Sequence, residues 1–239
     1  MKNNIKKILI ITVGCLLMTA VGLCSENYIY SEYDINPLTA EIIEDTGIAS
    51  CNKLMITAHP DDEILWGGGH LMDGGYFVVV ITNGRNETRS AEFKKVIEAS
   101  GNKGLILDYP DKTFGKRDDW SVVRGKIEKD VELLENYKDW GMIVTHNPDG
   151  EYGHIHHVMT SDIVTKEYEK GHSDNTDLLY FGKYYKKSDL EKISDTLPKM
   201  TDEQIRFKED LLKLYESQSG TIKKLSHMNP YENWTEYKK

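Results

Sequence analysis

The chain has 239 residues, of which 39% are hydrophobic and 29% charged, and its formal net charge is −9. A hydrophobic fraction of this size excludes a disordered chain, and the length fits one domain with one sizeable core. The acidic balance argues against a nucleic-acid partner, because binding a phosphate backbone depends on clustered basic residues. Three cysteines are too few for a disulfide scaffold.

The first predicted element is a targeting segment over residues 1–25. Three lysines and no acid precede an almost wholly apolar run over residues 8–23. This pattern is typical of a cleaved signal peptide or a short uncleaved anchor. The basic flank orients the rest of the chain outward. We therefore expect an extracytoplasmic protein, secreted or anchored, with membrane contact through this segment if it is uncleaved. The polar, acidic residues 26–52 are predicted to form a linker or an arm.

From residue 53 onward, short apolar runs alternate with helical patterns. We interpret residues 53–228 as one domain and the polar residues 229–239 as a loose tail. The apolar runs are continuous, which favours strands buried on both faces. The predicted strands cover residues 54–58, 77–82, 105–107, 142–145 and 178–181. The predicted helices cover residues 64–73, 88–99, 121–137, 157–169 and 201–217. This alternation predicts an α/β, Rossmann-like fold with a mostly parallel sheet between helices and a site at the carboxyl ends of the strands.

The first predicted strand leads directly into His59-Pro60-Asp61-Asp62-Glu63. Three adjacent carboxylates repel one another unless a cation or hydrogen-bond donors hold them. An imidazole and a carboxylate together are a good ligand set for zinc. A polar surface turn is the alternative, but it does not explain the apolar residues that follow at once. This segment therefore predicts a metal site.

A second cluster follows the predicted strand at 142–145 and contains four histidines, His146, His154, His156 and His157. It also falls at the carboxyl end of a strand, so it can face the first cluster. A catalytic zinc has three protein ligands and one open position. One histidine and one carboxylate from the first segment, with one histidine from the second, supply that number.

Together the two segments resemble the paired signatures of the PIG-L/LmbE-like zinc N-deacetylases. That family removes acetyl from N-acetylglucosaminyl-phosphatidylinositol and from related glucosaminyl-inositol and glycopeptide substrates. The resemblance extends from about residue 53 to about residue 225. It includes further matches at Gly67-Gly68-Gly69, Arg89-x-x-Glu92, Tyr109-Pro110-Asp111 and Tyr215-x-Ser217-Gln218. It implies a zinc-dependent hydrolase that removes an N-acetyl group from an N-acetylglucosamine-containing glycan or glycolipid.

The resemblance also implies a role for each matching residue. The implied zinc ligands are His59, Asp62 and His157. Asp61 is the implied general base for the attacking water. His154 is implied to stabilise the oxyanion or protonate the leaving amine, and Tyr152 to donate to the oxyanion. Arg89 and Asp111 fall where the family contacts the substrate sugar or its substituent.

The second segment departs from the commonest family pattern. Many members read Gly-His-Pro-Asp-His, whereas this chain has Gly153-His154-Ile155-His156-His157. His156 thus replaces an acid that normally supports the site, and it leaves a register alternative in which His156 rather than His157 is the ligand. Iron(II) in place of zinc, the exact substrate and the oligomeric state stay open.

Two other functions compete with the deacetylase. A metal-dependent phosphoesterase would use similar ligands, but such sites usually show more of them and often two metals. A non-catalytic sugar-binding module on the same fold would not need Asp61 beside an intact ligand set.

Overall fold

The computed structural model describes residues 35–171 and 176–238. The predicted targeting segment therefore lies outside the described residues. Within those two ranges, every helix is too short or too polar to cross a membrane.

The described strands form one six-stranded sheet, in the order β3-β2-β1-β6-β7-β8, and one separate two-stranded hairpin. Their bounds are β1 Lys53–Thr57, β2 Tyr76–Thr82, β3 Lys103–Tyr109, β4 Lys112–Thr113, β5 Lys116–Arg117, β6 Met142–Thr145, β7 Asp177–Tyr180 and β8 Thr235–Glu236. All five predicted strands are confirmed, with ends that differ by at most two residues. All seven residues of β2 are buried, as its continuous apolar run predicts.

The pairings of the first five sheet strands are parallel, and β8 pairs antiparallel with β7. The prediction of a mostly parallel sheet with flanking helices is therefore confirmed. The structure adds three strands that the sequence patterns did not predict. These are the hairpin strands β4 and β5, and the final strand β8.

The described helices surround this sheet. Their bounds are α1 Ala40–Glu44, α2 Asp62–Gly67, α3 Glu87–Ser100, α4 Arg124–Glu135, α5 Ile155–Glu169, α6 Lys187–Ile193, α7 Asp202–Leu212 and α8 Ser219–Leu225. The predicted helix at 64–73 divides into α2 and a 3₁₀ turn at His70–Asp73. At the start of α7, Thr201 and Gln204 form the predicted capping box. Helix α1 lies within the segment that we predicted as a linker or arm.

The helices form two groups that pack within themselves. Helix α7 contacts both α2 and α3, and α4 contacts α5. From β1, the chain first adds β2 and β3 towards one edge of the sheet. It then crosses back and adds β6 and β7 towards the other edge. Because such crossovers are right-handed, the two groups cover opposite faces of the sheet.

The strand order changes direction between β1 and β6. Ile56 of β1 lies beside Val79 of β2 on one side and beside Thr145 of β6 on the other. In open parallel sheets, the crevice at such a point, outside the carboxyl ends of the strands, is where ligands bind. The two polar segments identified in the sequence follow β1 and β6 directly, so both enter this crevice.

The prediction of a loose tail after Met228 is corrected by the structure. Strand β8 extends the sheet, and Trp234 Nε1 donates to the backbone oxygen of Trp66 at 2.8 Å. The Glu232 side chain is fully buried and bonds to Lys208. The tail looked solvated because it is polar, but its polar groups are partners for buried groups elsewhere in the domain.

Candidate metal centre

The structure brings the three predicted metal ligands together. Asp62 Oδ2 lies 2.9 Å from His59 Nδ1 and 3.2 Å from His157 Nε2. All three residues are buried, with exposures of 6% for His59, 3% for Asp62 and 0% for His157. His157 Nε2 has no hydrogen-bond partner among the described residues. A buried ring nitrogen left without a partner, facing a carboxylate, fits a metal ligand.

Overlapping sets of donor atoms surround this point. Ring nitrogens of His59, His154 and His157 lie within 4.8 Å of one another, and so do ligand atoms of Asp62, His146 and His157. A third such set is His59, Asp111 and His156. Asp62 contacts His59 as well as His157, so the predicted ligand trio combines members of the first two sets. The imidazole and carboxylate donors are those that zinc and iron(II) accept.

The charges around His157 also favour a cation. Burial alone would lower the pKa of its imidazole, but Asp62 and Glu151 on its two sides raise that pKa to about 10. Conversely, burial opposes ionisation of Asp62, yet His157 and His59 hold its pKa well below the usual value. Two ionised carboxylates facing one buried imidazole create a negative potential, which a divalent ion would neutralise.

Glu151 is a supporting residue that the sequence patterns did not indicate. Its Oε2 lies 2.5 Å from His157 Nδ1 and 3.0 Å from His146 Nδ1, while its Oε1 accepts the backbone N–H of Asn147. His146 Nε2 in turn accepts the backbone N–H of Ala58 at 3.0 Å. This chain of contacts makes His157 Nδ1 a donor to Glu151 and turns Nε2 towards Asp62, the orientation that a metal-ligating histidine requires. Burial opposes the charge of Glu151, but His146 and His157 lower its pKa to about 2.

Glu151 sits in a conformation that is rare for its residue type, with φ 57° and ψ −64°. Gly150 and Gly153 on either side also have positive φ angles. The sequence signal for this turn was the pair of glycines, Gly150 and Gly153, on either side of Glu151. The whole segment lies between His146 and His154. Only the fold shows that this carboxylate turns inward.

Asp61, the predicted general base, lies beside the trio and is 5% exposed. Arg89 Nη2 approaches Asp61 Oδ1 at 3.5 Å and also donates to the backbone oxygen of Pro60. Burial and the charge of Asp62 raise the pKa of Asp61 well above its usual value, and Arg89 offsets only part of that shift. The arrangement therefore has one carboxylate that is firmly ionised and a neighbour that takes up a proton readily.

His154 and Tyr152 border the same space. His154 Nδ1 accepts the backbone N–H of His156 at 3.3 Å and so caps helix α5, which leaves Nε2 as the ring N–H. Burial and the neighbouring imidazoles lower the pKa of His154 to about 2. Burial and the nearby acids raise the pKa of Tyr152 above its usual value. Both side chains are neutral hydrogen-bond donors near neutral pH.

His156 occupies a different position from His157. Its Nδ1 lies 3.0 Å from His59 Nε2, and its Nε2 donates to the backbone oxygen of Asp118 at 2.7 Å. Its ring stacks on Trp120, with centroids 4.3 Å apart. His156 therefore contacts the outer side of His59, whereas His157 faces Asp62 on the inner side.

All the predicted site residues except His157 line a polar cavity of about 250 Å³. Asp111 lies 3.3 Å from His59 Nε2 and is paired with Arg117 on strand β5. These partners hold the pKa of Asp111 below its usual value, although burial opposes its charge. The remaining polar lining includes Lys112 from the hairpin, and Gln218 and Thr221 from the C-terminal part. The hairpin and this C-terminal part were absent from the predicted site.

A histidine–carboxylate cluster at the direction change of a mostly parallel α/β sheet is a candidate metal site. Residues 54–168 match the model of the PIG-L family, described as GlcNAc-PI de-N-acetylase. This match identifies residues 54–168 as a PIG-L domain. The PIG-L family is one of metal-dependent, deacetylase-like hydrolases, and the histidine–carboxylate groups described above could hold a metal ion.

A curated relative, the uncharacterized protein L374 of Acanthamoeba polyphaga mimivirus, is 32% identical over 130 residues. The match covers 47% of this chain and 56% of the relative, so it spans about half of each protein.

Two solved structures are similar in fold. GalB, the 4-carboxy-2-hydroxymuconate hydratase from Pseudomonas putida, aligns with a TM-score of 0.51 at 12% identity. The conserved protein TT1542 from Thermus thermophilus aligns with a TM-score of 0.51 at 17% identity. Each alignment covers 74% of this chain and 84% of the other chain. At these identities the likeness concerns the fold alone.

Proposed function

We propose that the protein is a zinc-dependent N-deacetylase that hydrolyses the acetamide of an N-acetylglucosamine-containing glycan or glycolipid. The observation that carries the proposal is the convergence of His59, Asp62 and His157, with Asp61 beside them in a polar cavity. The family match over residues 54–168 supports the reaction type. Iron(II) is the alternative ion, because the same ligands accept it.

Zinc bound by the three ligands would polarise the acetyl carbonyl and lower the pKa of water from 15.7 towards about 7. Every other contribution comes from the chain itself. Asp61 is placed to accept the proton that water loses as its oxygen attacks the carbonyl carbon. Its raised pKa suits it to hold that proton and then deliver it to the amine nitrogen as the C–N bond breaks.

Neutral donors are needed where the carbonyl oxygen gains negative charge. His154 bears its N–H on Nε2 and Tyr152 its phenolic O–H, and both line the cavity. The loss of one such donor typically reduces kcat by about 10²–10³-fold. The lowered pKa of His154 favours this role over that of an acid for the leaving amine, the two roles that the resemblance left open.

Arg89, Asp111 and Lys112 are placed at the cavity wall to contact the sugar and its substituent. The predicted targeting segment supports an extracytoplasmic site of action on a cell-surface glycan or glycolipid.

The test is an acetate-release screen with zinc-loaded protein over free, inositol-linked and polymeric N-acetylglucosamine. We expect acetate and a free amine in equal amounts from at least one of these substrates. The absence of acetate from all of them, with one zinc bound per chain, would overturn the deacetylase. Phosphate release from sugar phosphates by the same preparation would support the phosphoesterase instead.

A further inference from the structure

Asp61 has an unusual backbone conformation for a residue with a side chain. Its φ is 124° and its ψ is −29°, a region that residues other than glycine rarely adopt. Such strain persists only where the surroundings hold it in place. The carbonyl side of Asp61 is held by helix α2, because the backbone N–H groups of Ile64 and Leu65 donate to its oxygen at 3.1 and 2.8 Å.

The amide side of Asp61 is held by Glu63. The backbone N–H of Asp61 donates to Glu63 Oε2 at 3.0 Å. The carboxylate of Glu63 is thereby turned back under the residue two positions before it. Glu63 is fully buried and does not line the cavity. It can influence the cavity through its hydrogen bond to Asp61.

The other oxygen of Glu63 is held by Tyr215, 152 residues later in the chain. The Tyr215 hydroxyl donates to Glu63 Oε1 at 2.5 Å, and Tyr215 is fully buried. The segment after Tyr215 is fixed as well, because Glu92 on helix α3 accepts both the N–H and the hydroxyl of Ser217. Tyr215 is therefore attached to a rigid part of the domain.

We propose that Glu63 and Tyr215 are positioning residues that hold the strained backbone of Asp61 and so fix the direction of its carboxylate in the cavity. This inference rests on the role of Asp61 in the proposed deacetylase. A third buried carboxylate beside Asp61 and Asp62 is unfavourable unless it is well bonded. If the contact between helix α2 and the residues after α7 were only structural, apolar side chains could form it without the cost of burying a carboxylate.

The chemistry of glutamine allows a sharp test. In E63Q, the amide oxygen still accepts the Asp61 N–H, and the amide N–H can donate to the Tyr215 oxygen. We expect kcat to stay within about threefold of wild type, because both contacts are kept. In Y215F the carboxylate loses its second partner, and we expect kcat to fall about tenfold with KM within about twofold.

The double variant Y215F/E63Q leaves the glutamine N–H buried without a partner. We therefore expect its loss of kcat to exceed the product of the two single losses, as coupled neighbours show. All three variants should bind as much zinc as wild type. The matched control is Y168F, which removes a hydroxyl that donates to the backbone oxygen of Thr176. Tyr168 lies eleven residues after His157 on α5, about 16 Å along the helix, so kcat should not change.

Amide hydrogen exchange at Asp61, followed by NMR on the full chain, tests the inference independently of activity. We expect exchange at least about tenfold faster in Y215F/E63Q than in wild type, because the N–H loses a fixed acceptor. Unchanged exchange in the double variant, or strictly multiplicative losses of kcat, would overturn the inference. If wild type releases no acetate from any substrate, the proposed function fails, and the exchange measurement still decides whether Glu63 and Tyr215 hold Asp61.

Discussion

Two clusters of buried charge lie at the two ends of the short helix α2, and they differ in how completely they are satisfied. The ligand cluster, His59, Asp62 and His157, lies at its N-terminal end and leaves His157 Nε2 without a hydrogen-bond partner in the described part of the chain. The anchor cluster, His70, Lys208 and Glu232, lies at its C-terminal end.

In the anchor cluster every charged group has partners. Lys208 Nζ donates to Glu232 Oε1 and to the backbone oxygen of Leu65, each at 2.8 Å. The Glu232 carboxylate also accepts the N–H of Gly69 and contacts His70 Nδ1 at 2.8 Å. Burial opposes the charge of Glu232, but Lys208 and His70 lower its pKa below the usual value.

We interpret the anchor cluster as structural and the ligand cluster as the proposed functional one. Buried charges are tolerated when their hydrogen bonds are complete, and an incomplete set indicates a group that binds something else. Burial alone does not distinguish the two clusters, because Lys208 and His157 are both 0% exposed. The following predictions test this distinction, beginning with the largest expected effect.

Within the ligand cluster, metal binding and activity should separate. H157A should lose zinc and all measurable activity, whereas D61N should keep zinc and lose about 10²–10⁴-fold in kcat, because it removes a proton acceptor. Metal analysis of both purified variants, beside their rates, checks this. A D61N enzyme of normal rate would remove Asp61 from the role of base.

In the anchor cluster, K208M should damage stability rather than chemistry. It leaves the Glu232 charge buried and without its lysine, which we expect to lower the free energy of unfolding by about 3–5 kcal/mol. Urea unfolding measures the loss. The double variant K208M/E232Q should regain much of it, since the glutamine is uncharged, and zinc content should equal wild type throughout. A K208M protein as stable as wild type would contradict a structural role.

His156 should affect the ligand cluster from outside. Its contact with His59 Nε2 orients that ring, so H156A should weaken zinc binding about tenfold. H156N is the matched control, because its amide oxygen can accept the same N–H. Competition with a zinc chelator measures both affinities, and equal affinities of H156A and wild type would refute the contact's importance.

The smallest effect concerns pH. The pKa of Glu232 is depressed by folding, so its contribution to stability is complete above its ordinary value of 4.5 and is lost as pH falls through the lower, folded value. The difference in unfolding free energy between wild type and E232Q should therefore be present at pH 5 and should shrink in more acidic solution. A difference that does not change down to pH 3 would show that Glu232 is not ionised in the fold.

Much of the sheet could be predicted because strands buried on both faces read as continuous apolar runs. The proximity of the two polar segments could be predicted because both follow strands whose carboxyl ends meet at one edge of the sheet, whereas the choice of His59, Asp62 and His157 as ligands came from the family resemblance and stays a prediction. The roles of Glu63, Glu151 and Glu232 could not be predicted from the sequence. Glu63 and Glu232 have partners 152 and 163 residues away, Tyr215 and Gly69. The histidine partners of Glu151 are close in the chain, but only its backbone conformation turns the carboxylate towards them.

The hydrogen bond from Ala58 to His146 joins residues that are 88 positions apart. The separation is large because β2 and β3 lie between β1 and β6 in the chain. Closing so large a loop is slow compared with local pairing. An ion held by both segments can bind only after they have met. Such an ion would slow unfolding and raise thermal stability with its free concentration. Without the ion, β1 and β6 would separate more often, and proteolysis of the segments that follow them would be faster.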